Sequence, residues 1–164
     1  YPITIFVPTK YTGQVIQWDP TVNTSVEKVM DWAQIRTLKD FGMEIGSHTR
    51  SHCHLTQIPN SLIEEETKGS LADLKSQFPG DPSNEILFSY PYGEYNQGIA
   101  DIVKEAGYLG AVANFPRNIR PRTDPFQIPR FSVAPGITAG DILRQSRSLW
   151  LRELFKDMRD WIYE

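Results

Sequence analysis

The sequence is poor in three features, and each shortage excludes a class of protein. Of its 164 residues only Cys53 is a cysteine, so no disulfide forms within the chain and the redox compartment stays open. The longest apolar runs, such as residues 3–7, are far shorter than the roughly 20 residues that cross a bilayer, which predicts no transmembrane segment. The net charge of −3 comes without a basic face, so nucleic acid is not expected as a partner. This length and composition favour one globular domain over residues 1–164.

Short β-branched and aromatic runs alternate with longer amphipathic stretches, a pattern typical of β/α units around a largely parallel sheet. Strands are predicted over residues 3–7, 43–46, 85–90, 108–113 and 131–133. Helices are predicted over residues 25–41, 96–106 and 141–163. A further helix is predicted to begin at a capping box of Ser61 and Glu64 and to end just before Pro79. The alternation predicts an α/β layer or barrel fold.

Two histidines four residues apart, His48 and His52, follow the second predicted strand. At the start of a helix both imidazoles would face one side and bind a divalent ion, most often Zn²⁺, with Co²⁺ or Ni²⁺ as substitutes. Two ligands hold an ion weakly, and a catalytic site normally supplies three. On the spacing alone, a pair of exposed or hydrogen-bonded histidines is an equal alternative.

Two segments around these residues resemble, in the same order, motifs of the polysaccharide deacetylases, also called carbohydrate esterase family 4 or the NodB-homology domain. Residues 44–56 are similar to the metal-binding motif. Residues 88–96 are similar to the Pro-Tyr-Gly loop that forms one wall of the active-site groove. The resemblance covers most of the chain up to about Val133, and it implies an incomplete, distorted (β/α) barrel with the metal at the C-terminal end of the strands.

The resemblance also implies roles for individual residues. His48 and His52 would be metal ligands, and the backbone N–H of Tyr92 would help to hold the oxyanion formed when water attacks an acetamide. Arg130 is a candidate to replace the arginine that often precedes the loop, because this chain has Ser89 at that position; a surface or structural ion pair is the alternative for Arg130. The candidate substrate-binding residues are Pro91, Tyr92, Gly93 and Tyr95, although proline and glycine also favour an ordinary tight turn.

Two features of the family pattern are missing from this sequence. The Asp-Asp motif, which supplies the third ligand and the general base, has no counterpart, because no two aspartates are adjacent. The histidine that protonates the leaving amine is also missing, since His48, His52 and His54 are the only histidines, unless His54 or another group takes that role. Cys53 is interpreted as a packing residue. The start at Tyr1, almost at once followed by a strand, favours a domain truncated on its N-terminal side.

Two functions are consistent with these residues. The first is a metal-dependent hydrolase that removes N-acetyl groups from a polysaccharide containing N-acetylglucosamine, with the aspartates encoded upstream. The second is a non-catalytic glycan-binding or structural relative that has lost them. The resemblance implies a glycan partner and an extracellular, periplasmic or cell-surface location, while the particular glycan is not identifiable. A missing strand would leave residues 3–7 at an unpaired edge and favour self-association.

Overall fold

The computed structural model describes residues 3–16, 28–81 and 85–147. Its centre is a five-stranded parallel sheet in which each strand pairs with the next strand of the chain. The strands are β1 (Thr4–Val7), β2 (Glu44–Ser47), β3 (Leu87–Ser89), β4 (Gly110–Ala113) and β5 (Ile128–Pro129). Helices α1 (Trp32–Asp40), α2 (Asn60–Gln77) and α3 (Gln97–Ala106) connect the first four strands. Sequential order with helical crossovers is the topology of a (β/α) barrel, so the predicted α/β fold with a partial barrel is confirmed.

The first helix is shorter than predicted. Asp31 caps it, since its side chain accepts from Gln34 N at 2.9 Å and the Gln34 side chain accepts from Asp31 N at 3.0 Å. Lys28 forms an antiparallel bridge with Val15 instead of a helical turn. The predicted helical start at residue 25 is therefore wrong for residues 28–31, and residues 25–27 lie outside the described part.

The predicted start of the second helix is also wrong, whereas both ends of the third are confirmed. Pro59 occupies the N-cap of α2 and no side chain caps the helix, so Ser61 already lies in its first turn. In α3, the Asn96 side chain accepts from Ile99 N at 3.0 Å. Gly107 ends that helix with a φ of 99°, a left-handed conformation that glycine adopts without strain.

The last strand lies earlier in the chain than predicted. Ile128 and Pro129 pair with Val112 and Ala113, whereas residues 131–133 form no strand and Val133 is 64% exposed. Residues 139–147 are helical, which agrees with the beginning of the predicted terminal helix. The remainder of that helix, from residue 148 onward, lies outside the described residues.

The core lies between the sheet and the helices packed on it. A chain of buried hydroxyl groups fixes β2 against α2: Ser47 Oγ donates to Ser70 Oγ at 2.8 Å, and Ser70 Oγ lies 2.8 Å from Tyr108 Oη. Tyr108 Oη donates to the Thr67 carbonyl at 2.8 Å, and burial raises the pKa of Tyr108 to about 12. This network sets the position of the strand that leads into the histidines.

No helix in the described ranges combines the length and the apolar character that a bilayer span requires.

Candidate active site

The predicted site residues follow the C-terminal ends of three strands. His48 follows β2, the loop of Pro91, Tyr92 and Gly93 follows β3 after one residue, and Arg130 follows β5 directly. Parallel strands of a barrel end at the same face, which is the face where such folds carry their active sites. The topology therefore brings together residues that are up to 82 positions apart in the sequence.

Residues 48–52 form a turn rather than the helical start assumed from the sequence. Thr49 and His52 adopt left-handed backbone conformations, with φ of 64° and 55°. Thr49 is fully buried, and its Oγ1 accepts from His52 N at 2.8 Å, which closes the turn. The two imidazole rings nevertheless lie on one side, with ring centroids 4.7 Å apart.

Acidic residues on α2 hold this turn. Glu66 Oε2 accepts from the backbone N–H groups of Arg50 and Ser51, both at 2.8 Å, and Glu66 Oε1 accepts from Ser51 Oγ at 2.7 Å. Asp73 accepts from Arg50 Nε at 3.0 Å and from Thr9 Oγ1 at 2.7 Å. These contacts could not be predicted from the sequence, because the residues concerned lie 15 to 64 positions apart.

The surroundings of His48 keep its imidazole neutral. Its Nδ1 lies 2.6 Å from the Ser89 carbonyl oxygen, which can only accept, so Nδ1 carries the proton and Nε2 keeps its lone pair. Burial, together with the nearby His52 and Arg130, lowers the pKa of His48 to about 4 although the carbonyl contact raises it. A neutral imidazole oriented by a carbonyl is the form in which histidine binds a metal.

The Pro-Tyr-Gly loop turns sharply beside the histidines. Tyr92 has a φ of 58°, and its ring centroid lies 4.8 Å from that of His52. The His54 ring also stacks on the Tyr92 ring, with centroids 3.8 Å apart and planes inclined by 6°. Glu94 accepts from His54 Nδ1 and from Thr56 Oγ1, each at 3.0 Å, and these two hydrogen bonds lower the pKa of its carboxyl group.

Arg130 contacts Ser89, the residue that occupies the position of the family's arginine in this chain. One of its terminal nitrogens, Nη2, donates to Ser89 Oγ at 2.9 Å, and the guanidinium carbon lies 5.5 Å from the Phe6 ring centroid. Its Nε is buried and has no hydrogen-bond partner among the described residues. The structure thus places the side chain between β1 and β3 rather than in a surface ion pair.

The remaining predicted substrate-binding residues differ in exposure. Tyr92 is 44% exposed, whereas the Pro91 side chain is buried. Tyr95 is half-buried and stacks on Tyr90 with ring centroids 4.8 Å apart. Tyr90 is only 1% exposed and donates to the Phe126 carbonyl at 2.8 Å. Cys53 packs against the core, as interpreted from the sequence.

The donor atoms present fit part of a transition-metal site. His48 offers an oriented neutral imidazole, and the His52 ring lies beside it. Within residues 3–16, 28–81 and 85–147, however, no group of three or more His, Cys, Asp and Glu side chains converges. The described residues therefore hold two adjacent imidazoles but not a complete three-ligand centre.

The sequence pattern of the family described as Polysaccharide deacetylase matches residues 1–111. The predicted polysaccharide deacetylase YxkH of Bacillus subtilis is 26% identical over 106 residues, which cover 64% of this chain and 37% of YxkH. The chain thus spans little more than a third of that relative.

Solved deacetylase structures share the fold. The Streptococcus pyogenes deacetylase PplD, in complex with acetate, superposes with a TM-score of 0.72 at 22% identity, over 88% of this chain and 58% of PplD. The Bacillus cereus polysaccharide deacetylase BC0361 gives a TM-score of 0.68 at 22% identity, over 88% of this chain and 42% of BC0361. At these identities the likeness establishes the fold, while the sequence pattern covers well over half of the chain. The chain therefore belongs to the polysaccharide deacetylase family.

Proposed function

We propose that the protein containing this chain is a metal-dependent hydrolase that removes N-acetyl groups from a polysaccharide containing N-acetylglucosamine. The observation that carries the proposal is the convergence at one barrel face of the His48–His52 pair, the Tyr92 loop and Arg130. Family membership supports the same reaction. A glycan substrate of this kind also favours an extracellular, periplasmic or cell-surface location.

In this proposal His48 and His52 hold a divalent ion, Zn²⁺ by preference and Co²⁺ or Ni²⁺ as substitutes. When bound, such an ion polarises the acetamide carbonyl and lowers the pKa of water. The chain's own contribution is orientation: the Ser89 carbonyl fixes the His48 ring, and the Glu66 contacts fix the turn that carries both rings. The ligand atoms are thereby preorganised before an ion arrives.

In the same proposal, the Tyr92 backbone N–H acts on the substrate, and the Arg130 guanidinium holds the general base. The backbone N–H of Tyr92 donates to the oxyanion that forms at the acetamide carbon, an interaction that contributes about 3 kcal/mol in other hydrolases. The buried Nε of Arg130 is a donor without a partner in the described part of the chain, and it suits a carboxylate that acts as general base. We propose that this carboxylate and the third metal ligand come from a segment outside the described residues.

A non-catalytic glycan-binding relative is the second candidate. The observation that favours it is the lack of a third converging ligand within the described residues. The two candidates differ in the sequence expected upstream of Tyr1, because only the enzyme needs an Asp-Asp pair on an adjoining strand. Sequencing upstream of Tyr1 separates the two.

The metal assignment is tested with variants that keep the fold. His48→Asn retains a side-chain N–H that can donate to the Ser89 carbonyl but removes Nε2, and asparagine tolerates the left-handed backbone at position 52 better than most residues. We expect His48→Asn and His52→Asn, each in the complete protein, to lose stoichiometric Zn²⁺, measured by elemental analysis, and to stop releasing acetate. His54→Asn is the matched control and should retain the ion. Full metal content in the double His48→Asn, His52→Asn variant would refute the assignment.

A further inference from the structure

One side chain outside the Pro-Tyr-Gly loop, His54, contacts the loop region at two points. Its ring stacks on the Tyr92 ring with centroids 3.8 Å apart, and its Nδ1 lies 3.0 Å from Glu94 Oε2. An ionised carboxylate can only accept a hydrogen bond, so Nδ1 carries the proton and donates it. Tyr92 and Glu94 lie on either side of Gly93, so the two contacts hold the chain before and after the glycine.

The segment that carries this imidazole is anchored in the core. His54 directly precedes a short helical turn, Leu55–Gln57, whose first residue is buried in the main hydrophobic cluster. Thr56, in the same turn, donates through its Oγ1 to the same oxygen of Glu94 at 3.0 Å. The ring is therefore attached to a backbone that the core fixes, and a fixed ring can restrain the loop that it contacts.

The loop requires such a restraint because its backbone is strained. Tyr92 has a φ of 58°, a conformation that a bulky residue keeps only where surrounding contacts impose it. Gly93 N donates to the Tyr90 carbonyl at 3.0 Å, and Glu94 N donates to the Pro91 carbonyl at 3.1 Å. These two bonds lie within the turn, so they set its local shape but not its position relative to the histidines. Contacts from outside the turn set that position.

The position of Tyr92 matters because its backbone N–H is the proposed oxyanion donor. Such a donor stabilises the transition state only from about 2.7–3.1 Å, so a small displacement of the loop weakens it. The Tyr92 ring lies between the two imidazoles that it contacts, with its centroid 4.8 Å from that of His52 and 3.8 Å from that of His54. In the described ranges His54 joins no converging group of three metal-binding side chains, so its contacts point to the loop rather than to an ion.

We propose that His54 is a positioning residue that holds the Tyr92 N–H in place for the oxyanion. It acts through the loop, by the ring stack and by the Glu94 hydrogen bond, rather than on the reacting atoms. This inference rests on the proposed function in one respect, that the Tyr92 N–H is the oxyanion donor. The restraint on the loop itself depends on no reaction.

Three substitutions separate the two contacts. His54→Phe keeps a ring but cannot donate, His54→Asn keeps an N–H donor but has no ring, and His54→Ala removes both. The His54 side chain is 38% exposed, so all three variants should fold. In ¹⁵N relaxation experiments the Tyr92 N–H should have an order parameter of about 0.85, and His54→Ala should lower it below about 0.6, with intermediate values in the other two. An unchanged order parameter in His54→Ala would overturn the proposal.

Kinetics of the complete protein test the consequence for the reaction. His54→Ala should lower kcat about tenfold, less than the roughly 100- to 1,000-fold that follows loss of a whole oxyanion donor. KM and the Zn²⁺ content should stay nearly unchanged, because the interaction is made in the transition state. His54→Phe and Glu94→Ala break the same hydrogen bond, so the double variant should lose no more kcat than either alone. A raised KM with unchanged kcat in His54→Ala would overturn the positioning role.

Phe78→Ala is the matched control for general destabilisation. The Phe78 ring contacts Trp32 edge-on, with centroids 6.5 Å apart, at the end of α2 that leads into β3. This variant should unfold at a lower urea concentration but keep the original kcat and the original Tyr92 order parameter. A loss of kcat equal to that of His54→Ala would overturn the proposal. If no form of the complete protein releases acetate, the proposed function fails, and the order parameters still decide whether His54 restrains the loop.

Discussion

Left-handed backbone at non-glycine residues is found, within the described ranges, at Thr49, His52 and Tyr92. This conformation costs about 1–2 kcal/mol for each such residue. All three lie in the histidine turn or the Pro-Tyr-Gly loop, so the strain is concentrated where the candidate active site is. Strained backbone of this kind persists only where surrounding contacts determine it, as the Thr49 Oγ1 contact does for His52.

Gly93 provides a test of how tightly the loop is packed. It has a φ of 73°, and an added Cβ would lie 2.8 Å from Asn114 Cβ and 2.9 Å from Asn114 N. We expect Gly93→Ala to lower the free energy of unfolding by at least about 2 kcal/mol, from left-handed strain plus overpacking. Gly80→Ala is the control, since Gly80 has a φ of 84° and an added Cβ there would meet no described atom within 4 Å beyond its chain neighbours; it should lose only about 1 kcal/mol. Urea unfolding midpoints with equal slopes give both values; equal losses would contradict the packing argument.

The roles of site residues could be predicted from the sequence where their side-chain chemistry indicates them. They could not be predicted where they depend on contacts between residues far apart in the chain. The positions of His48, His52 and Tyr92 at one face follow from their place after strands. The positioning contacts of Glu66, Asp73 and Glu94 do not, because each depends on a partner at least 15 residues away. The left-handed turn at Thr49 and His52 was also missed, since a β-branched threonine disfavours positive φ and a histidine adopts it in a small minority of cases.

Of the two carboxylates of helix α2 that hold the histidine turn, Glu66 makes more contacts with it than Asp73 does. Glu66 accepts three hydrogen bonds from the turn that carries the histidines. We expect Glu66→Ala to lower the free energy of unfolding by about 1–3 kcal/mol, because it leaves two backbone donors without their acceptor. Glu64 lies on the same helix, and its side chain pairs with Lys68 at 2.6 Å on the surface, so Glu64→Ala should cost about 0.5 kcal/mol or less.

A second measurement separates positioning from general stability. The Zn²⁺ affinity of the complete protein should fall in Glu66→Ala, measured well below its unfolding temperature, and remain unchanged in Glu64→Ala. A Glu66→Ala protein that is destabilised yet binds Zn²⁺ with the original affinity would show that the Glu66 hydrogen bonds stabilise the fold without positioning the metal ligands.

At the level of whole elements, strand order and most helices follow from the hydrophobic pattern, while the errors have local causes. Capping by Asp31 and the Val15–Lys28 bridge shorten α1. Pro59 displaces the start of α2, since a helix readily begins right after proline. The fifth strand was misplaced because Ile128 and Pro129 carry no strand signature of their own and pair only through their contact with β4.

The sheet as a whole ends at β1, whose outer edge pairs with no strand in the described part of the chain. An open edge offers unpaired N–H and C=O groups to another molecule. We expect the 164-residue chain to associate with increasing concentration in sedimentation velocity experiments. Ile3→Lys, at a residue 49% exposed beside this edge, should weaken the association, whereas Leu62→Lys, at a residue 44% exposed on α2, should not. A chain that stays monomeric at high concentration would contradict this expectation.

The 164-residue chain alone should not release acetate from chitooligosaccharides at a useful rate, even with added Zn²⁺ or Co²⁺. Hydrolysis of an amide needs an activated water, a base that takes its proton and an acid that protonates the departing amine. The described residues supply two imidazoles as metal ligands, the Tyr92 N–H and the Arg130 guanidinium, and the sequence holds no adjacent aspartates. Acid and base catalysis each contribute about a hundred- to ten-thousandfold, so a chain without both should react close to the background rate. A chain extended upstream to include an Asp-Asp pair should exceed it by several orders of magnitude in the same acetate assay. Equal rates for the two chains would mean that groups within residues 1–164 perform the acid and base steps, and that the roles given to Arg130 and to the external carboxylates are wrong.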